Sequence, residues 1–223
     1  MPPKSRREKH SSGSPASRMG PSSLHVNKQD AGQQAARWQN VSAPTDRLGR
    51  YGLVFGRLMI GILWITQLAW KIPPSFGCPA NFAVSTSYTT RTTGLCDWTG
   101  LMGVYSILPL HRAFVNNFVI PNLAWMGWFI FLMELFIAAT LILGVVSRLG
   151  AVVAIIQATN LLIGLSAVPN EWYWTYGMLI VLHVLFFCLP PGRTFGIDGY
   201  LRRRFSPAAA GSPRLAFLVN WLT

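Results

Sequence analysis

The sequence predicts an all-α integral membrane protein, a bundle of four transmembrane helices with an extracytoplasmic loop that carries a short amphipathic or re-entrant helix. The chain has 223 residues, of which 51% are hydrophobic and only 12% charged, whereas soluble domains carry about 25% charged residues. Four apolar stretches each approach the roughly 20 residues that cross a hydrocarbon core. Most Lys and Arg residues lie outside these stretches. Apolar surface on this scale needs lipid as its solvent.

The first 46 residues are predicted to form a disordered basic cytoplasmic tail. They are rich in Ser, Gly, Pro, Gln and basic residues, and they offer too little apolar surface to offset the entropy of ordering. They do not resemble a signal peptide, because no apolar core follows the first basic cluster until Tyr51. An initiation codon further along the chain is an alternative interpretation of this segment.

A four-helix membrane domain is predicted over residues 47–204. Its apolar stretches cover residues 51–70, 121–146, 149–168 and 172–189. The second and third are joined by a sharp turn at Ser147 and Arg148, and the fourth is closed by Pro190, Pro191 and Gly192. Residues 205–223 are predicted to be a C-terminal tail with a short interfacial helix over 213–222.

The distribution of basic residues predicts a multi-pass protein of the plasma (inner) membrane with both termini in the cytoplasm. Nine of the nineteen Lys and Arg residues precede Tyr51 and five follow Pro191. The tight second connection contains Arg148, whereas the third connection has no basic residue. Because cytoplasmic loops are enriched in Lys and Arg, these counts agree on one orientation.

The long first connection, residues 71–120, is predicted to be extracytoplasmic. It contains Cys78 and Cys96, which in an oxidising compartment favour a disulfide, with a redox-active pair or free thiols as alternatives. Residues 98–118 are apolar but interrupted by Gly, by Pro109 and by a His-Arg pair, which favours a surface-lying or re-entrant helix over a span.

Among the polar residues within the predicted spans, four are the candidates for a functional cluster, one from each helix: Arg57, Glu134, Gln157 and His183. At about 1.5 Å of rise per residue, all four are expected at similar depth in the cytoplasmic half of the membrane. We therefore predict a cluster in which Arg57 neutralises Glu134, His183 exchanges a proton and Gln157 completes the hydrogen bonds. Glu134 and His183 are the candidate catalytic residues, and Arg57 and Gln157 the candidate quinone-binding or polar-cluster residues. The alternatives are a buried ion pair that fixes helix register, and an Arg57 that extends to the headgroups.

Several function classes are disfavoured by the sequence. The net charge of +12 could suggest nucleic-acid binding, but the charges flank an apolar region and no RNA- or DNA-binding pattern accompanies them. There is no metal or nucleotide motif: the sequence lacks a phosphate-binding glycine loop, a Cys-x-x-Cys and metal-spaced His or Cys. Self-contained hydrolysis or nucleotide chemistry is not expected.

From about Arg50 to Arg204 the chain resembles the DoxX/DoxD-like membrane proteins. The matching segments are GRLMIGILW at 56–64 followed by Lys71, ELFIAATLILGVVSRLGA at 134–151, and PPGRTFGIDGYL at 190–201. The segment PNEWYWTYGMLIVLH at 169–183 and the long first connection are more similar to the DoxD branch. This resemblance implies a four-helix bundle and, for that branch, a subunit of a thiosulfate:quinone oxidoreductase with quinone as electron acceptor.

Three hypotheses of function follow. The leading one is a membrane subunit of a quinone-linked sulfur oxidoreductase that associates with a second protein subunit and, as a further expectation, with copies of itself. The alternative is a non-catalytic membrane anchor or assembly subunit for a soluble redox partner. A small-solute carrier or lipid-binding protein ranks third, because discontinuous helices of the kind that carriers use are only weakly indicated.

Overall fold

The computed structural model describes residues 47–89, 94–209 and 221–222. All of these described residues fall within one compact unit. The predicted tail over 1–46 lies outside the described residues, as does the predicted interfacial helix over 213–222 except for Trp221 and Leu222, which are helical.

Within the described ranges, all regular secondary structure is helical. The α-helices are α1 (Arg47–Leu68), α2 (Leu95–Tyr105), α3 (Pro109–Phe114), α4 (Leu123–Leu143), α5 (Ser147–Leu165), α6 (Trp174–Cys188) and α7 (Ile197–Ala209). A π-helical segment (Val115–Val119) and a 3-10 turn (Ile120–Asn122) join α3 to α4 without a break, and another 3-10 turn (Pro191–Arg193) precedes α7.

Three helical runs are long and apolar enough to cross a membrane: Arg47–Leu68, Pro109–Leu143 and Ser147–Leu165. The chain is therefore a membrane protein by the length and composition of its helices. The apolar helix α6 has 15 residues and is shorter than these three. The first and third spans begin two to four residues earlier than the sequence predicts.

The second span is longer than expected because Pro109 begins a helix instead of interrupting one. A proline is tolerated in the first turn of a helix, where its missing N–H would have no intrahelical partner. Residues 98–118 are consequently divided between α2 and the start of the long helical run, and do not form one separate helix.

Four helices pack in a ring: α1, α4, α5 and the shorter α6. Helix α4 contacts both α1 and α5, and α6 packs along α5. The ring is closed where the Trp64 indole of α1 donates a hydrogen bond to His183 of α6 at 3.2 Å. Buried Ile137, Leu141 and Phe186 fill the interior beside Trp64.

Two glycines permit close approach between neighbouring helices. Gly150 of α5 lies against the Thr140 side chain of α4, and a Cβ atom at this position would overlap it. Gly61 of α1 lies similarly against Leu141 and Ile142. Small residues at helix contacts allow the dispersion contacts that hold helices together in lipid.

One end of the bundle, which we call the basic end, contains the start of α1, the α4–α5 turn and the segment from Pro190 into α7. Asp198 connects the start of α7 to the α4–α5 turn, because its carboxylate accepts hydrogen bonds from the backbone N–H groups of Val146 (2.6 Å) and Ser147 (2.9 Å). These groups lie at the N-terminus of α5, where a carboxylate is favourable.

The opposite end, which we call the disulfide end, contains the connection between α1 and α2. Cys78 and Cys96 are joined in a disulfide with a Cα–Cα distance of 5.4 Å, as predicted from the sequence. Fully buried Phe76 packs beside this bridge against Leu123 and Met126. The free thiol of Cys188 is exposed.

Candidate functional site

The centre of the candidate site is an ion pair between Lys71 and Glu134. The Lys71 ammonium contacts Oε2 of Glu134, and the two side chains are only 7% and 1% exposed. Lys71 follows α1 by three residues, and its side chain turns into the bundle to reach the middle of α4. The ammonium also lies 4.5 Å from the centre of the Trp70 ring. A charged pair this well buried is costly to assemble, so it marks a candidate functional position.

A chain of hydrogen bonds runs from this ion pair along α5 to α3. Gln157 donates from Nε2 to Oε1 of Glu134 at 3.1 Å, and Asn160 donates from Nδ2 to Oε1 of Gln157 at 3.4 Å. The Nε2 atom of His111 lies 2.9 Å from Oδ1 of Asn160. On the other side of its ring, Nδ1 of His111 lies 2.8 Å from the Ser106 hydroxyl.

All the amide donors in this chain point toward Glu134. Because Oδ1 of Asn160 can only accept, Nε2 of His111 carries the proton in that hydrogen bond. Both oxygens of Glu134 are occupied as acceptors, one by Lys71 and one by Gln157. Lys71 is therefore the counter-ion of the Glu134 carboxylate, and Gln157 is its neutral hydrogen-bond donor.

The ion pair and the two amides form part of the polar wall of a large cavity. Other polar residues also line it: Gln67, Thr99, Glu171, Thr175 and Tyr176. Its volume is about 800 Å³, within the usual range of roughly 300–1,000 Å³ for small-molecule sites. The remaining wall is mostly apolar and comes from α1, α2, the π-helical segment, α4, α5 and α6. A mostly apolar chamber with a few convergent polar groups suits an amphipathic ligand with a polar head.

Exposed apolar side chains form part of the cavity lining. They include Leu63 of α1, Phe129 of α4 and Ile156 of α5, all of which belong to helices long enough to span a membrane. A ligand dissolved in the bilayer would meet this part of the lining without first crossing an aqueous phase.

Two of the four predicted cluster residues, Glu134 and Gln157, lie together as expected. The predicted pairing of Arg57 with Glu134 is wrong. The Arg57 guanidinium instead donates to the backbone carbonyls of Pro191 and Phe195, each at 3.3 Å, at the basic end. The long side chain of Arg57 therefore extends toward the basic end and away from Glu134. The side chain of Lys71 extends toward Glu134 from the disulfide end.

His183 is also separate from Glu134 and does not line the cavity. Its Nδ1 atom lies 2.6 Å from the Leu179 carbonyl and its Nε2 accepts from Trp64. With Nδ1 donating and Nε2 accepting, the ring is held as the neutral tautomer. The expected single layer of four polar residues is therefore two separate groups plus an arginine at the basic end.

The site contains residues that the polar-cluster hypothesis did not include. Asn160 lies one helical turn beyond Gln157, so the two amides share a face of α5, and that spacing was visible in the sequence. Lys71 follows the predicted apolar span and belongs to the predicted first connection, so the sequence does not place it in the polar cluster. The inward turn of its side chain has no signal in the sequence.

The chain matches no protein-family model, and no curated protein or solved structure is detectably similar to it.

Proposed function

We propose that this chain is the membrane subunit of a quinone-linked oxidoreductase and that the cavity beside Lys71 and Glu134 holds the quinone headgroup. The observation that supports the proposal is the juxtaposition of a buried ion pair and two amides with an apolar chamber of about 800 Å³. A quinone has two carbonyl acceptors on a ring and an apolar tail, which matches this division of polar and apolar wall.

Within this proposal, each polar residue has a role that follows from its contacts. The Lys71 ammonium has three donors, and those that Glu134 does not use can bind a quinone carbonyl. Gln157 and Asn160 hold the carboxylate in place from α5. His111, at the far end of the chain of hydrogen bonds, fixes the orientation of the Asn160 amide.

Glu134 is the proposed proton-holding residue of the site. When bound, the quinone accepts two electrons and two protons. The Glu134 carboxylate lies at the cavity wall beside Lys71, where it can pass a proton to the bound ligand. His183 is assigned a positioning role between α1 and α6, since both of its ring nitrogens are engaged there.

The proposed electron donor is thiosulfate, as the resemblance to DoxD-like proteins implies. Oxidation of two thiosulfate ions to tetrathionate releases the two electrons that one quinone accepts. The proposal includes a second protein subunit, and the segment 71–120 and the basic tail are the candidate contacts for it.

The proposed topology is a four-span bundle in the inner membrane with the basic end and both termini in the cytoplasm. Helix α6 spans about 22 Å at 1.5 Å per residue, and it is flanked by Trp172 and Tyr173 at its start and by Leu189 at its end. Aromatic residues of this type are common where a helix meets the headgroups. Described Lys and Arg residues are concentrated at the basic end, which supports the orientation.

The test measures thiosulfate-dependent quinone reduction in membranes that contain the complete complex. Glu134→Gln and Gln157→Leu are expected to lower the rate at least tenfold, as loss of a positioned proton carrier typically lowers rates by about 10²–10⁴. Asn122→Leu is the matched control for the amide substitution, because Asn122 does not line the cavity and its described side-chain hydrogen bond, to the Phe118 carbonyl, is exposed.

The alternative function, a non-catalytic anchor for a soluble redox partner, gives the opposite result. The substitutions at Glu134 and Gln157 would then lower thermal stability but leave the quinone-reduction rate per folded complex unchanged. Absence of thiosulfate-dependent reduction in wild-type complex would refute thiosulfate as the donor.

A further inference from the structure

The basic end contains a second cavity, which is separate from the proposed quinone site. Its volume is about 350 Å³, and it lies between the start of α1 and the start of α7. Three arginines, Arg50, Arg193 and Arg203, line it together with the exposed phenol of Tyr200. Thr194 and the backbone of Gly196 and Gly199 contribute the remaining wall.

The positive charge of the three cavity arginines is only partly balanced within the described chain, by the attraction between Arg193 and Asp198. The one described carboxylate at the basic end is Asp198, which is fully buried and accepts hydrogen bonds from the α4–α5 turn. Burial, followed by the neighbouring charges of Arg202 and Arg148, lowers the pKa of Arg193 to about 10. Crowded cations in a concave surface favour an anionic ligand.

An apolar surface begins beside this cavity and runs along α1. Its five side chains are all exposed and recur every three or four residues, so they share one face of the helix. They are Leu48, Tyr51, Phe55, Met59 and Ile62. Phe195, which lines the cavity, stacks on Tyr51 with ring centroids 5.8 Å apart. The cationic cavity therefore adjoins a lipid-facing stripe on a helix long enough to span the membrane.

We propose that this cavity binds the phosphate headgroup of an anionic phospholipid, whose acyl chains lie along the exposed stripe of α1. Basic pockets at membrane-helix ends are suited to such headgroups. A free phosphate ion would use the arginines but not the apolar stripe. The stripe next to Arg50 is the reason that the observations favour a lipid.

The test uses native mass spectrometry of the purified full-length protein in detergent, titrated with phosphatidylglycerol or with phosphatidylcholine of the same acyl chains. The double variant Arg50→Gln/Arg203→Gln removes two arginines from the cavity wall. The matched control is Arg47→Gln/Arg204→Gln, which removes the same charge from two exposed arginines that do not line the cavity. Thermal unfolding followed by circular dichroism checks that both variants are folded.

We expect wild type and control to bind phosphatidylglycerol at least tenfold more tightly than phosphatidylcholine. The affinity of the cavity variant for phosphatidylglycerol should fall by a factor on the order of 25, because this is the loss expected when two arginines near a membrane surface no longer attract an anionic lipid. Equal binding of the two lipids, or equal losses in cavity variant and control, would overturn the proposal. Displacement of the lipid by inorganic phosphate at equal concentration would also overturn it and indicate a free-anion site.

Discussion

The buried ion pair gives the most informative prediction about the architecture of the site. Replacing Lys71 by Met keeps most of the apolar side chain and removes the ammonium that contacts Glu134. The carboxylate, 1% exposed, would keep the hydrogen bond from Gln157 to Oε1 but lose its only described ionic partner. We expect the free energy of unfolding to fall by about 3–5 kcal/mol, the cost of leaving one charge of a buried pair uncompensated.

The double variant Lys71→Met/Glu134→Met distinguishes the interaction between the two charges from the contacts that each residue makes with the rest of the bundle. Removing both charges eliminates the uncompensated carboxylate but leaves the Gln157 amide without its acceptor, which costs about 1–3 kcal/mol. The double variant should therefore be more stable than Lys71→Met alone. A double-mutant cycle from the free energies of unfolding of wild type, both single variants and the double variant should give a coupling energy between Lys71 and Glu134 of at least about 2 kcal/mol.

The assay is reversible unfolding in mixed micelles, followed by circular dichroism for wild type, both single variants and the double variant. Arg204→Met is the control for loss of an exposed cation and should change the free energy by no more than about 0.5 kcal/mol. If Lys71→Met matches this control, or if the single effects add without coupling, the described ion pair does not stabilise the bundle.

Three further predictions use the same unfolding assay. Trp64→Phe removes the hydrogen-bond donor to Nε2 of His183 and should lower the free energy of unfolding by about 1–3 kcal/mol. An unchanged free energy would show that this buried nitrogen finds another donor. Cys78→Ser/Cys96→Ser should cost about 3 kcal/mol for a bridge of 18 residues' separation, and stability that is insensitive to both this change and reductant would contradict a structural disulfide. Asp198→Asn weakens the hydrogen bonds at the start of α5 and should cost about 0.5–2 kcal/mol, with hydrogen exchange at the α4–α5 turn accelerated; unaltered exchange there would contradict the capping role.

The helical fold was largely predictable because length and hydropathy determine where a chain can cross lipid. The helices begin and end within a few residues of the predicted stretches at three of the four positions. The exception, the extension of the second span to Pro109, arose because a proline was interpreted as an interruption when it occupies a helix start. The pairing of Cys78 with Cys96 was predictable because both cysteines fall in the connection predicted to be extracytoplasmic, and its sequence contains no other cysteine.

The candidate site was predicted less well, because depth along a helix does not specify where a long side chain ends. Arg57 and Lys71 show the difference: the first extends from the middle of α1 to the basic end, and the second turns inward from beyond the helix end. The rotation of each helix about its own axis matters equally, because it determines which neighbour a side chain faces. His183 faces Trp64 rather than Glu134, and only the packing of α1 against α6 determines that. The pair of amides on α5 was the part that helical periodicity could have identified.

The most direct measurement of the proposed function is photoaffinity labelling of the purified full-length protein with a short-chain azidoquinone, followed by peptide mapping. We predict labels on cavity-lining segments of α4 and α5, protection by excess unlabelled quinone, and at least tenfold weaker protection in Gln157→Leu than in Asn122→Leu. Labelling confined to the outer apolar surface, without protection by quinone, would contradict a quinone site beside Lys71 and Glu134.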